Sequence, residues 1–311
     1  MHTLLPNKVK KRLSVIIPVY NHAHYLPEGL KSIISQIEQQ DELILVDDGS
    51  IDPSPLIVRQ YAQRYPNLIR YLLKKNEGLT RTLNIGLSMA SGEFVLFIAS
   101  DDKLWPDVLQ KALATMQPDV DFVIHGARYF GDPKYENKLV YSGVIDELLH
   151  ESAHDILTAL YVTPPSPLLV QSTIFRKSFL TELGGFDETL AIDDWPLFIR
   201  SFRFLLASKR NWKYDSTIIL TGYRIHGSNQ SKNILRHYSA CVKVINSLCS
   251  PEFKNTALGR LAINHGLNLL RKGKPSGIGI LLQGARKVSL QDIVIILKTR
   301  ILRRARRLIY P

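Results

Sequence analysis

The first hundred residues alternate between two periodicities. Residues 13–19 (Leu-Ser-Val-Ile-Ile-Pro-Val) are a β-branched run, the pattern of a strand buried on both faces. Leu26, Leu30, Ile33, Ile34 and Ile37 then recur at helical spacing, with Pro27 in the first turn, where its missing N–H would be unpaired anyway. The alternation repeats through a strand at 42–46, a helix at 56–65, a strand at 68–73, a helix marked by Leu79, Leu83 and Leu87, and a strand at 94–98. Such units predict an α/β fold with a mostly parallel central sheet and helices on both faces. Ligands of these sheets bind beyond the carboxyl ends of the strands, and polar residues gather there: Tyr20-Asn21, Asp47-Asp48 and Asp101-Asp102.

The middle of the chain is less regular. Strands are expected at 121–126 and 170–176, with a break at Thr163-Pro-Pro-Ser-Pro167. A short helix should end at Gly184-Gly185, and Asp193-Asp-Trp-Pro196 should open another through 206. A strand at 217–224 leads to His226, and the pattern after 231 is helical. The chain thus divides into an N-terminal arm (1–12), an α/β body (13–230) and a C-terminal helical extension (231–311).

Composition changes this picture in one respect. The 311 residues are 45% hydrophobic and 22% charged, which excludes disordered and disulfide-knot classes and supplies a large core. The net charge of +12 suggests an anionic partner. Partition relocates that charge. Residues 271–311 carry eleven basic side chains against one acid, Lys8, Lys10, Lys11 and Arg12 add four, and the body is slightly acidic. On a helical wheel of 289–309, Leu290, Val294, Leu297, Ile301, Ala305 and Leu308 share one face, and Arg300, Arg303, Arg304, Arg306 and Arg307 the other, with Ile293 and Ile296 as exceptions. This pattern suits an anionic membrane surface, or a helix docked on the body with a solvated arginine face. Nucleic acid is not expected, because the tail holds one aromatic, Tyr310. No segment reaches the roughly 18 apolar residues of a spanning helix, and the N-terminus lacks the pattern of a signal peptide. Cys241 and Cys249, eight residues apart on a helix, would lie about 12 Å apart, too far for a disulfide. A cytoplasmic protein, peripheral on the membrane's cytoplasmic face, is the expectation.

Three acidic pairs carry the candidate chemistry. Asp101-Asp102 directly follows an apolar strand; adjacent carboxylates suit a divalent ion and a substrate phosphate, or a solvated turn. Asp47-Asp48-Gly-Ser50 can accept hydrogen bonds from a base or ribose, or form a plain Asx turn. Asp193-Asp194 reads as a helix cap or as a base.

Taken together, these pieces resemble the family-2 glycosyltransferases, whose domain is the Rossmann-like A-type glycosyltransferase fold. The resemblance rests on Val15-Ile-Ile-Pro-Val-Tyr-Asn21, Ile44-Leu-Val-Asp-Asp-Gly-Ser50, Asn76-Glu-Gly78 with Asn84-Ile-Gly86, Ala99-Ser-Asp-Asp102, Gly184-Gly-Phe-Asp-Glu188, Asp193-Asp-Trp195 with Arg200, and Tyr223-Arg-Ile-His226, in order over about 13–230. It implies transfer of a sugar from a nucleoside-diphosphate sugar, a UDP-sugar first, to a hydroxyl of a glycan or lipid-linked acceptor, with Mn2+ or Mg2+. It assigns Pro18, Tyr20, Asn21, Asp47, Asp48, Gly78, Arg81 and Asp101 to the donor, with Asp48 on the base. Asp102 and His226 go to the metal, Asp193 and Trp195 to the acceptor side, and Asp194 to general base of an inverting reaction, held ionised by its helix N-terminus. Three positions depart from the family pattern: Ala99 where another aspartate is often found, Asp193 where glutamate is usual, and Leu83 where arginine is common. Arg81 lies nearby as a phosphate contact or as a solvated helix residue. A catalytically degenerate nucleotide-sugar binder and a sugar nucleotidyltransferase are the alternatives.

Overall fold

The computed structural model describes residues 11–162, 168–227, 233–289 and 293. They fall into two compact units, Met1–Ala153 with Leu168–His226, and His154–Pro167 with Gly227–Pro311. The basic wheel at 289–309 lies outside the described residues except for Ser289 and Ile293, as do the break at 163–167 and most of the N-terminal arm.

The first unit is built on one sheet of β1 (Lys11–Val19), β2 (Glu42–Asp47), β3 (Ile69–Leu73), β4 (Gly92–Phe97), β5 (Lys103–Leu104), β6 (Val120–Phe130), β7 (Thr173–Arg176) and β8 (Asn211–Arg224), in the order β3-β2-β1-β4-β7-β6-β8-β5. β1 pairs in parallel with β2 and β4, and β2 with β3. β7 runs antiparallel between β4 and β6, and β6 pairs in parallel with β8. The direction of β1–β4 is therefore restored in β6 and β8, and the sheet is mostly parallel as expected. The carboxyl ends of β1, β2, β4 and β8 open on the same edge. The short β5 follows Asp101-Asp102 and pairs with β8 through Lys103↔Gly222 and Leu104↔Thr221. That pairing lays the end of β4 beside the end of β8, more than a hundred residues away in the chain.

Period-two alternation sorts the core. Val15, Ile17 and Val19 pack with Leu26, Leu30 and Ile33 of α1 (Leu26–Ile34), Val58 and Ala62 of α2 (Ser54–Arg64) and Leu109 and Ala112 of α4 (Leu109–Ala114). On the other face, α3 (Leu79–Met89) lies so close that a Cβ on Gly86 would stand 2.4 Å from Ile16 Cγ2. Phe122 on β6 anchors an aromatic cluster there. Its ring centroid is 5.5 Å from Phe175, 5.5 Å from Phe179 of α7 (Lys177–Leu183), and 5.7 Å from Phe202 of α8 (Asp194–Ser208).

Several boundaries differ from the sequence reading. β1 begins at Lys11, and Arg12 pairs with buried Asp41 through Nε at 3.0 Å and Nη2 at 2.8 Å, so these two basic residues belong to the sheet. The expected strand at 170–176 is a 3-10 turn, Val170–Ser172, followed by β7. β8 starts at Asn211, and a register shift against β6 at His125 and Gly126 interrupts its alternation. α4, β5 and α5 (Val144–Leu149) are too short to show a period.

The second unit contains α6 (Ala153–Val162) beyond its first residue, α9 (Ile234–Leu248), α10 (Pro251–Arg271) and α11 (Ser276–Ala285). α10 and α11 touch through glycines: a Cβ on Gly266 would lie 2.8 Å from Gly277 O, and one on Gly284 2.8 Å from Gly259 O. Among the described residues no helix is long and apolar enough to cross a membrane.

Gly29 makes the fold testable at the site's edge. A Cβ there would stand 2.6 Å from the Asp102 carbonyl oxygen, a backbone atom that cannot rotate away. Gly29→Ala should therefore cost about 1–3 kcal/mol of unfolding free energy in urea titration. Unchanged stability would mean that α1 does not clamp this turn.

Candidate active site

The chain leaves β1 through a tight turn. Asn21 is left-handed at φ 53°, a conformation asparagine tolerates better than most residues. Its N–H donates to Ser50 Oγ at 2.9 Å, and its Oδ1 accepts from Ile51 N at 2.8 Å. Asn21 thus joins the loops after β1 and β2. Pro18 is half-buried, and Tyr20 is 45% exposed at the strand end.

The two acids after β2 have different tasks. Asp48 is 5% exposed. Its Oδ1 accepts from Glu77 N at 2.8 Å, its Oδ2 from Gly78 N at 2.9 Å, and Lys74 Nζ donates to Oδ1 as well. Asp48, expected on the base, is engaged in folding the Asn76-Glu-Gly78 loop. Asp47 is 1% exposed; one oxygen accepts from Ser50 N at 2.9 Å, and Oδ2 is buried with no hydrogen-bond partner. Gly78 opens α3 at φ 95°, with open space where a Cβ would be. Arg81 is paired with Glu77 at 3.0 Å and lies 3.9 Å from Glu188, its side chain 53% exposed.

The acids after β4 also differ in their surroundings. Asp102 is 2% exposed. Its Oδ1 accepts from Arg224 N at 2.7 Å, and its Oδ2 from Gln171 Nε2 at 3.0 Å. Burial first, and the neighbouring Asp101 second, push its carboxyl well above the usual range. These bonds make it a link between β4 and β8. Asp101 stands beside two imidazoles: its Oδ2 is 2.8 Å from His226 Nε2, and its Oδ1 3.9 Å from His22 Nδ1. One ligating atom each from His22, Asp101 and His226 lie within 4.8 Å of one another. The mixture of imidazole and carboxylate donors fits a divalent transition ion. His22 was not singled out from the sequence, because a histidine in a loop carries no periodic signal. Arg224 completes the floor: Nε donates to Asp101 O at 2.6 Å and Nη2 to Glu28 Oε2 at 2.5 Å, and its guanidinium lies 5.0 Å from the Tyr25 ring centroid.

The third pair stands at the start of α8. Asp193 and Asp194 are half-buried, and both carboxyls are pushed up. Asp194 reaches about 8, through burial first and the adjacent Asp193 second, against a hydrogen bond from Trp195 N to its Oδ1 at 2.6 Å. The expected ionising effect of the helix N-terminus is outweighed by desolvation. Trp195, expected on the acceptor side, is 1% exposed and belongs to the core beneath the pair. Tyr223 on β8 is half-buried, and its hydroxyl is pushed up by burial first and then by the charges of Asp102, Asp194 and Asp101, so the second and third pairs share one electrostatic neighbourhood. The remaining motif residues are structural. Asn84 Nδ2 donates to Phe186 O at 2.9 Å and its Oδ1 accepts from Phe186 N at 2.8 Å, while Arg200 Nη1 donates to Gly185 O at 2.6 Å.

Fold and site define an α/β protein with acid-rich loops gathered at the carboxyl ends of parallel strands. Residues 14–177, just over half of the chain, match the family described as glycosyl transferase family 2. The chain belongs to that family, and its fold is the A-type glycosyltransferase fold. S. aureus TarS 1-349 in complex with UDP-GlcNAc aligns with a TM-score of 0.61 at 20% identity, over 88% of this chain and 79% of that one. The mannosyltransferase PcManGT from Pyrobaculum calidifontis in complex with GDP-Man and Mn2+ aligns with a TM-score of 0.59 at 21% identity, over 94% and 80%. The minor teichoic acid biosynthesis protein GgaB of Bacillus subtilis is 34% identical over 58% of this chain and 20% of its own length, and GgaA of the same organism 29% identical over 63% and 44%. The chain spans less than half the length of these curated relatives.

Asp48→Ala would strand the Lys74 ammonium and two backbone N–H donors. Removing one partner of a buried pair costs about 3–5 kcal/mol, and thermal unfolding should show a loss of that order. A loss under about 1 kcal/mol would put the Lys74 pair in solvent.

Proposed function

We propose that the protein is a metal-dependent, inverting glycosyltransferase that moves a sugar from a nucleoside-diphosphate sugar, a UDP-sugar first, to a hydroxyl of a glycan or lipid-linked acceptor in surface-polysaccharide synthesis. The observation that carries this reading is Asp194, a carboxyl raised to about 8 in the same electrostatic neighbourhood as Asp101. A general base works best when its pKa lies near the operating pH. Asp194 would take the acceptor hydroxyl's proton as the oxygen attacks the anomeric carbon from the side opposite the departing diphosphate. Buried Asp47 Oδ2, without a protein partner, would accept a hydrogen bond from a nucleobase N–H, with Tyr20 and Pro18 against the base. Asp101 and His226 would hold the divalent ion, which supplies positive charge to the leaving diphosphate. Asp193 would face the acceptor. The nucleotide-sugar complexes of TarS and PcManGT, the second with Mn2+, and the teichoic acid names of GgaA and GgaB support this reading. Sugar nucleotidyltransfer would leave a raised carboxyl at Asp194 without a task.

The membrane proposal rests on the charge partition. Within the described residues, Ile278 (53% exposed) and Leu282 (52% exposed) of α11 are flanked in sequence by Lys272, Lys274 and Arg286, an apolar and basic mixture suited to an anionic interface. Vesicles containing phosphatidylserine should sediment the protein, and Ile278→Asp with Leu282→Asp should release it. Equal sedimentation with neutral vesicles would remove the electrostatic part of the proposal.

Asp194→Asn should abolish sugar transfer while leaving UDP affinity within about twofold, as expected when an interaction made only in the transition state is lost. In the parent, kcat/KM should rise about tenfold per pH unit up to about 8 and then level, because the ionised carboxylate is the active form. The stability effect has the opposite sign. A carboxyl raised in the folded state stabilises it fully below the unfolded value and loses that contribution as pH rises through about 8. Asp194→Asn should therefore melt above the parent at pH 9. Turnover by the variant at the parental rate would refute the base assignment.

A further inference from the structure

His22, Asp101 and His226 come from the loops after β1, β4 and β8, three strands whose carboxyl ends open on the same edge. The two imidazoles face one carboxylate from different sides, with ring centroids 6.0 Å apart at 88°. His226 Nε2 is 2.8 Å from Asp101 Oδ2, and His22 Nδ1 is 3.9 Å from Asp101 Oδ1. His22 is held more firmly than a loop residue needs. Its N–H donates to Ser54 Oγ at 3.1 Å, the residue before it is the left-handed Asn21, and Ser100 Oγ lies 2.8 Å from Nδ1. The backbone bond to Ser54 fixes the loop, while Ser100 Oγ lies on Nδ1, the same nitrogen that faces Asp101, so an ion bound at that nitrogen would take the place of the Ser100 hydroxyl. The oxygen supply nearby is limited. Asp102 has both oxygens in hydrogen bonds to Gln171 and Arg224 N, and Ala99 supplies none.

We propose that His22 is a third protein ligand of the divalent ion, so that two imidazole nitrogens and one carboxylate hold it and the site selects first-row transition ions over Mg2+. The proposal builds on the proposed function, which puts Asp101 and His226 on a metal, and adds the ligand that sets its identity. Mg2+ demands oxygen donors in near-ideal octahedral geometry, whereas imidazole suits the later first-row ions. A site with two imidazoles therefore discriminates, and removing one should weaken the discrimination.

Calorimetry with Co2+ alone and Mg2+ alone on the full chain, for the parent, His22→Asn and His22→Gln, reads this directly. Loss of an outer-shell partner of a metal costs about 10–100-fold in affinity, so loss of a direct ligand should weaken Co2+ binding by at least about tenfold while Mg2+ binding changes little. Melting curves of the metal-free variants confirm that they fold. Pulsed EPR on the Mn2+-loaded parent needs no variant: coupling to two imidazole nitrogens is expected, and coupling to one in His226→Asn. Unchanged Co2+ affinity in both His22 variants, or one coupled nitrogen in the parent, overturns the proposal. Turnover of a UDP-sugar is measured separately. Two coupled nitrogens without turnover would retain His22 as a ligand and remove the transferase reading; turnover with a single coupled nitrogen would do the reverse.

Discussion

Carboxylates buried at the ends of parallel strands are the constraint on which this structure turns. A buried carboxylate is costly unless donors or cations meet it, and here the donors come from distant parts of the chain. Asp48 collects the N–H groups of Glu77 and Gly78 and the ammonium of Lys74, and so fixes the loop between β3 and α3. Asp102 collects Gln171 and the backbone of Arg224, and so ties β4 to β8. The open edge of the sheet is shaped by acids that have been satisfied. Their neighbours are met differently: Asp47 keeps Oδ2 without a hydrogen-bond partner, and Asp101 is met by imidazoles rather than by backbone or amide donors.

This gives a physical reason for doubled aspartates. In each of the first two pairs one carboxyl, Asp48 or Asp102, has both oxygens in hydrogen bonds from distant parts of the chain, and the other does not; both members of the first pair are buried, while in the second Asp101 is the less buried. Glycine permits the required closeness at two points: Gly49, at φ 74°, would bring a Cβ within 2.6 Å of Asn76 N, and Gly29 would bring one within 2.6 Å of Asp102 O. Arg224 serves both members of the second pair, its N–H on the Asp102 carboxyl and its Nε on the Asp101 carbonyl.

Periodicity made the first hundred residues legible. β1 to β4 and the helices between them are long enough to repeat, and Val15, Ile17 and Val19 against Ile16 mark the two faces. Legibility failed where an element is defined by its partner. β5 is two residues long and exists through its pairing with β8, and β8 hides its first half behind a register shift at His125. The site followed the same division. The acidic pairs were visible, but which partners each member meets depends on strands far apart in sequence: Asp102 meets Gln171 and Arg224, and Asp101 meets His226. Trp195 reads as a ligand-facing aromatic beside Asp194, yet the first turn of α8 directs it into the core. His22 gave no sequence signal because its neighbour in space, His226, lies two hundred residues later.

The third pair follows a different logic from the first two. Asp193 and Asp194 begin a helix whose dipole, at its N-terminus, favours negative charge by about 0.3–1 kcal/mol at exposed sites. Withdrawal from water and a second carboxyl one residue away act in the opposite direction, and the net result is a value of about 8 for Asp194. A carboxylate held low by the dipole would be a weak base aided only by geometry. One raised by desolvation is a stronger base whose protonation is balanced near neutral pH. The cost is borne by the fold, since the ionised form is less at home in the folded site than in the unfolded chain. Core residues beneath it, Trp195 and Phe198 at 1% and 0% exposure, supply the packing that holds this carboxyl in its unfavourable place.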